Sequence, residues 1–148
     1  MGQSGPGMAD ERLRLMAVRE ILPLTAAPMP ELQAISDLAK TMFDVSRAAI
    51  HIIDEDWMHI IEQSGETVAE CARDISACNI VVTRNEPLVI PDLAKDPQWR
   101  AMPYVTARPH IRFYAGAPIE MGPGMTVGSF CLTDSQPRSL TETELSSL

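Results

Sequence analysis

An α+β fold, in which helices pack on the face and rim of an antiparallel sheet, is the class this 148-residue chain predicts. Three observations lead to it. Two stretches of helical period, over residues 10–22 and from Pro30 onward, give way at residues 47–54 to a two-residue alternation rich in β-branched side chains. Apolar runs at residues 111–119 and 127–133 flank the turn Gly122-Pro123-Gly124, as the two arms of a hairpin do. The full order is helix, helix, strand, strand, helix, strand, loop with a short helix, strand, strand, helix.

Each element has its own signal. Residues 10–22 are good helix formers, with Leu15, Val18 and Leu22 on one face and Leu13 and Met16 widening it. Pro23, Pro28 and Pro30 end that helix and start the next, Pro30 suiting a first turn because its missing N–H needs no partner there. The second helix is expected to bury Leu32, Ile35, Ala39 and Met42, with Leu38 and Phe43 beside them. In the strand that follows, Ala48, Ile50 and Ile52 face one way and Ala49, His51 and Ile53 the other; Asp54-Glu55-Asp56 turns into a return strand over 57–62, and residues 63–66 close it. Residues 74–84 read as a helix with Ile75, Cys78 and Val82 on one face and Val81 widening it. Leu88-Val89-Ile90, held between Pro87 and Pro91, is a short strand at a sheet edge. Residues 92–109 form a loop with a short helix near 98–102, and loops of that length inside a domain are usually functional or flexible. At the end, Thr141 and Glu144 make a capping box. The helix they start stops after about two turns, too short for independent stability, so the chain is expected to continue past Leu148.

Composition narrows the function. One core suffices at this length, and no apolar run approaches the ~20 residues of a membrane span. A formal charge of -8, with Lys40 and Lys95 the only lysines, argues against nucleic-acid binding. Three cysteines without regular spacing make no disulfide framework and suit a reducing cytoplasm. Residues 1–8 are Gly-rich and followed by ordinary helix sequence; they read as a disordered leader left by cloning, and residues 9–148 as a single domain.

The stretches Pro109 to Ile119, Gly128 to Asp134 and Pro137-Arg138-Ser139-Leu140 resemble the closing hairpin of a GAF domain, and residues 73–79, 86–92 and 95–97 resemble successive landmarks of the GAF subfamily of bacterial sensor histidine kinases and diguanylate cyclases. The resemblance runs from about residue 30 to 141. It implies a central antiparallel sheet with the N- and C-terminal helices on one face and a helix plus loop covering the other. It also implies a regulatory module of a two-component or cyclic-dinucleotide signalling protein, not itself catalytic. Such a module would bind a small molecule, or serve only to dimerise through its terminal helices, and would act on a C-terminal effector. Two positions depart from the expected pattern: Ala77 and Asn79 stand where Phe and His are usual, which would enlarge or reshape a cavity bordered by them.

Chemistry-bearing motifs are sparse. Gly122-Pro123-Gly124 has a proline where a phosphate loop needs an amide. His51, His59 and His110 sit on different elements, and no His-x-x-x-His or Cys-x-x-Cys pair offers metal-ligand spacing, so no metal site is expected. On one helix Cys71 and Cys78 would lie roughly 10.5 Å apart along the axis, beyond the ~7 Å reach of a disulfide. Cys78 and Cys131 read as small core residues, with a redox role as the alternative. That alternative is a GAF-fold enzyme of the free methionine sulfoxide reductase type, whose glycine-rich cysteine motif is absent here. Residues 98–109 hold no cysteine for a covalent bilin, and the signature of cyclic-nucleotide-binding members cannot be traced. Candidate ligand-binding residues, placed by the resemblance between the sheet and its covering helix and loop, are Ile75, Cys78, Asn79, Val82, Tyr104, Arg112, Tyr114 and Cys131. Arg112 offers two-point binding to a carboxylate, or a salt bridge to Asp92, Asp96 or Asp134. Trp57 and Trp99 read as packing residues.

Overall fold

The computed structural model describes residues 8–123 and 125–148. Residues 1–7, where the leader is expected, and Gly124 of the last turn lie outside it. Its helices are α1 (Met8–Ile21), α2 (Pro30–Phe43), α3 (Ala77–Arg84), α4 (Pro103–Thr106) and α5 (Glu142–Ser147). The strands are β1 (Arg47–Ile53), β2 (Trp57–Gly65), β3 (Cys71–Ala72), β4 (Leu88–Ile90), β5 (Phe113–Glu120) and β6 (Thr126–Asp134). They form one sheet in the order β3-β2-β1-β6-β5-β4, antiparallel at every pairing. The proline-bracketed β4 is an edge strand, as a segment lacking those amide donors must be. β1 and β6 lie at the centre, where a side chain on either face is covered; all seven residues of β1 are buried.

Pleating sorts these residues onto two faces. Ala48 and Leu132 pack with Ala39 and Phe43 of α2, and Ile52 and Val127 with Val18 of α1, while Leu140 and Leu148 flank the same side. On the opposite face Ala49, Ile53 and Cys131 join Cys78, Val81 and Val82 of α3, Leu93 and Trp99 of the loop, and Val105 of α4. Terminal helices cover one side, and a helix plus a loop cover the other.

Several local expectations shift. In α2 the buried residues are Ser36, Ala39 and Phe43, whereas Ile35, Leu38 and Met42 are exposed. The helix is rotated by about one residue from the hydrophobic reading, because small Ser36 and Ala39 let it lie close on β1 and β2. In α1, Leu15 and Val18 are buried and Leu13 and Met16 are not, since buried Arg14 takes the neighbouring position and donates to the Ile53 carbonyl at 2.6 Å. The helix expected from residue 74 begins at Ala77: Ser76 caps it by accepting from the Cys78 amide at 3.2 Å, and Arg73–Ile75 form a separate 3-10 turn. Residues 98–102 make turns, and the short helix lies beyond them at α4. Cys71 belongs to a two-residue strand, not to a helix with Cys78. Trp57 is 42% exposed and donates to Glu70 at 3.1 Å, whereas Trp99 is core. The capping box forms as read, Thr141 Oγ1 accepting from the Glu144 amide at 3.1 Å and Glu144 Oε1 from the Thr141 amide at 2.9 Å.

Candidate functional site

Because β1 alternates, Arg47, Ala49, His51 and Ile53 point toward α3. Arg47 stands opposite Thr133 of β6, which in turn stands opposite Tyr114 of β5, so three polar side chains form a row across the central strands. His51 pairs with Ser129, and Ala49 with Cys131. The first turn of α3 then lowers Cys78 onto this face. Arg47, His51, Cys78, Tyr104, Tyr114 and Thr133 thereby line a cavity of about 40 Å³ whose remaining walls include apolar Met58, Val68, Leu93 and Ile111. At roughly 10–15 Å³ for the first water, that is room for a few water-sized groups.

Hydrogen-bond directions follow from the one partner whose protonation is fixed. Arg47 is a donor only. Its Nη2 lies 2.9 Å from His51 Nε2, so Nε2 accepts and the imidazole proton is assigned to Nδ1. Nδ1 lies 3.2 Å from Cys78 Sγ and 3.5 Å from Cys131 Sγ. Cys131 donates to the Ala49 carbonyl, 3.7 Å away. Cys78 sulfur is therefore the acceptor of the His51 proton, and the Tyr114 hydroxyl, 3.1 Å from that sulfur and 3.3 Å from Ser129 Oγ, is placed to donate to it as well. Two donors converge on one buried sulfur. Burial alone would raise the Cys78 thiol, but the neighbouring Cys131, the His51 ring and the Tyr114 hydroxyl outweigh it and hold Cys78 well below its ordinary value. Burial and the adjacent Cys78 sulfur push Cys131 up. Burial, with Cys78, Asp74 and Glu70 nearby, raises Cys71 to about 11. All three cysteines are free.

Arg47 itself is the unusual member. It is fully buried, with Nε donating to Gln63 Oε1 at 3.0 Å and Nη2 to His51, and Nη1 has no partner. Thr133 Oγ1, on the same cavity wall, also lacks one. No carboxylate pairs with Arg47 among the described residues. A buried cation without an anion is costly. Gly116 gives the Tyr114 hydroxyl its room: a Cβ there would collide with that hydroxyl and come within 2.7 Å of Ser129 Oγ.

The site also qualifies the expectation about metals. His51, Cys78 and Cys131 bring one donor atom each within 4.8 Å of one another, a grouping able to hold an ion, although no spacing in the sequence announced it. The nitrogen that faces the sulfurs is the protonated one. A cation there would have to send that proton to Nε2, against the Arg47 N–H.

Of the candidate residues read from the sequence, Cys78, Tyr104 and Tyr114 line this cavity and Cys131 lies behind His51. Val82 is in the core nearby. Ile75 supplies its carbonyl to the Tyr104 hydroxyl at 2.6 Å, from outside α3. Asn79 faces a separate groove, accepting from Arg73 at 2.8 Å. Arg112 precedes β5, and its guanidinium donates to the carbonyls of Val105 and Ile111 at 2.9 and 3.3 Å, not to Asp92, Asp96 or Asp134. Arg47, His51, Ser129 and Thr133 were not among the candidates. The signal available for Arg47 was a lone arginine opening an otherwise apolar central strand.

This architecture of six antiparallel strands between terminal helices and a covering helix and loop matches a known family. The GAF domain profile covers residues 30–148. The chain belongs to the GAF domain family. It is 30% identical over 133 residues to a cyclic di-GMP phosphodiesterase of Pseudomonas aeruginosa, the match taking 90% of this chain and 23% of that protein. Among solved structures it is similar to the GAF domain of an Acinetobacter phosphoenolpyruvate-protein phosphotransferase (TM-score 0.64, 14% identity, 90% of this chain and 84% of that one). It is also similar to a type II free methionine-R-sulfoxide reductase of Thermoplasma acidophilum (TM-score 0.66, 12% identity, 94% and 86%). A phycocyanobilin-bound GAF domain of a cyanobacterial phytochrome has the same fold (TM-score 0.62, 16% identity, 99% and 87%). At these identities the structural likeness shows the fold alone. No helix among the described residues is long and apolar enough to cross a membrane.

Proposed function

We propose that this GAF domain is a regulatory sensory module, that the cavity under α3 is its sensory site, and that the terminal helices carry the response to an output domain following Leu148. One observation carries the reading: the central strands bury an arginine with an unpartnered nitrogen beside a cavity, an arrangement that stability alone does not call for. The similarity to a cyclic di-GMP phosphodiesterase favours an output in cyclic-dinucleotide signalling, with a histidine kinase or diguanylate cyclase as the other outputs the family resemblance implies. Exposed apolar residues on the opposite face, Leu13 and Met16 of α1 and Ile35, Leu38 and Met42 of α2, favour a homodimer built on these helices. Sensing then requires that the occupied and empty cavity favour different arrangements of that bundle.

Hydrogen exchange tests the coupling. A stimulus that protects α3 should also change protection in α1, α2 and α5, and Ala77→Phe, which fills the cavity, should abolish both effects. Stimuli that alter α3 while leaving the terminal helices unchanged would overturn the reading. Light scattering at high micromolar concentration is expected to give a dimer.

A further inference from the structure

The polar atoms of this cavity divide into a nucleophile, a second sulfur behind it and two unpartnered hydrogen-bond donors. Cys78 lines the space, and its sulfur accepts from His51 and Tyr114 at 3.2 and 3.1 Å. Cys131 shares the same His51 Nδ1 at 3.5 Å, so both sulfurs flank one imidazole edge and lie within 4.8 Å of each other. Arg47 Nη1 and Thr133 Oγ1 are buried on the cavity wall with nothing to bind. A reactant that uses all four has to be small, electrophilic toward sulfur, and able to accept two hydrogen bonds on its departing atom.

We propose that Cys78 and Cys131 form a hydroperoxide-reactive thiol pair, with Arg47 Nη1 and Thr133 Oγ1 holding the peroxide oxygen that leaves. Cys78 sulfur attacks the near oxygen; an S–O bond forms and the O–O bond breaks. The far oxygen takes up the proton released by the Cys78 thiol and departs as water, or as an alcohol from an alkyl hydroperoxide, leaving Cys78 as a sulfenic acid. Cys131 sulfur then attacks Cys78 sulfur; the S–S bond forms, the S–O bond breaks, and the hydroxyl leaves with the Cys131 proton as a second water. Two thiols are oxidised to one disulfide and one hydroperoxide is reduced. His51 keeps its proton on Nδ1, so it orients and stabilises Cys78 rather than acting as a ligand. The disulfide ties the first turn of α3 to central strand β6. This deepens the sensory reading, on which its regulatory meaning rests, by naming the stimulus as a small oxidant. Cys71, on edge strand β3, also lines the cavity, but it has no contact with His51 and burial holds it as a thiol, so it is the competing sulfur that the test must tell apart.

The test is hydrogen peroxide added in slight excess to the reduced chain, followed by intact mass and peptide mapping. The expected product has lost two hydrogens and carries a Cys78–Cys131 linkage. Cys131→Ser should stop at a sulfenic acid trapped on Cys78 by a dimedone-type reagent, and Cys78→Ser should abolish both products. Thr133→Val, which keeps the fold and the cysteines, should slow oxidation about tenfold or more, as loss of a positioned donor does. Oxidation at Cys71 alone, a Cys71–Cys78 linkage in place of Cys78–Cys131, no linkage in the wild-type chain, or an unchanged rate in Thr133→Val would overturn the proposal. Should the thiols stay reduced while native mass spectrometry finds another molecule retained in the cavity, the stimulus is wrong and the sensory site stands. If the disulfide forms but hydrogen exchange in α1, α2 and α5 is unchanged, the chemistry stands and the sensory coupling fails.

Discussion

Arg14 and Arg47 are both buried arginines, 2% and 0% exposed, and their surroundings differ in one respect. Arg14, on α1, has its carboxylate: Glu11 receives its Nε at 2.9 Å, and Arg73 reaches the same carboxylate at 2.6 Å. Arg47, on β1, has an imidazole, an amide oxygen and an unpartnered nitrogen. The first is a finished structural clamp holding α1 to the end of central strand β1 and to the turn before α3. The second is electrostatically unfinished. Within one small domain, then, the charge that serves the fold is fully matched, and the charge beside the cavity is left available.

That contrast can be broken by mutation. The largest effect is expected from Arg14→Met, which takes from Glu11 one of its two arginines and leaves the buried Ile53 carbonyl without its donor; an unsatisfied buried acceptor costs about 2 kcal/mol, read as a drop in the urea midpoint.

Acid should loosen the same clamp next. Burial works to raise Glu11, but the hydrogen bonds and charges of Arg14 and Arg73 prevail and bring it from 4.5 down to about 2. A carboxylate depressed by folding adds stability above its unfolded value and loses it as pH falls through the folded one. The stabilisation from Glu11 should therefore be whole above about pH 4.5 and gone near pH 2, and Glu11→Gln should flatten that part of the stability–pH curve.

Arg47→Met should have the smallest effect on stability, a change of about 1 kcal/mol or less in either direction, because an apolar side chain relieves an unmatched buried charge while leaving Gln63 and His51 without their donor. A loss as large as that of Arg14→Met would erase the distinction between the two arginines.

The difference between these regions also explains what was legible in the sequence. Strand periods, the prolines that mark β4 as an edge, and the Thr141–Glu144 box are local signals, and each element lies close to where it was read, although β2 continues to Gly65, past the expected residue 62, and β5 begins at Phe113 instead of residue 111. The α2 face was misjudged because hydrophobicity picked Ile35 and Met42, whereas close packing favours the small Ser36 and Ala39. The site was hidden for a stronger reason. Its members come from β1, α3, β5 and β6, and His51 is 27 residues from Cys78 and 80 from Cys131, so no window along the chain contains the cluster. Arg112 was the arginine singled out, for the two-point grip its guanidinium offers a carboxylate, and Arg47 went unconsidered. The strand starts only at Phe113, and ahead of it the side chain turns back to the loop carbonyls.

The claim at the centre of this account is that the fold converges donors on one buried sulfur, and the ultraviolet absorbance of thiolate at neutral pH measures that most directly. The native chain should show a thiolate signal that vanishes in Cys78→Ser and persists in Cys71→Ser. No thiolate signal at neutral pH, or one that disappears with Cys71 instead, would contradict it.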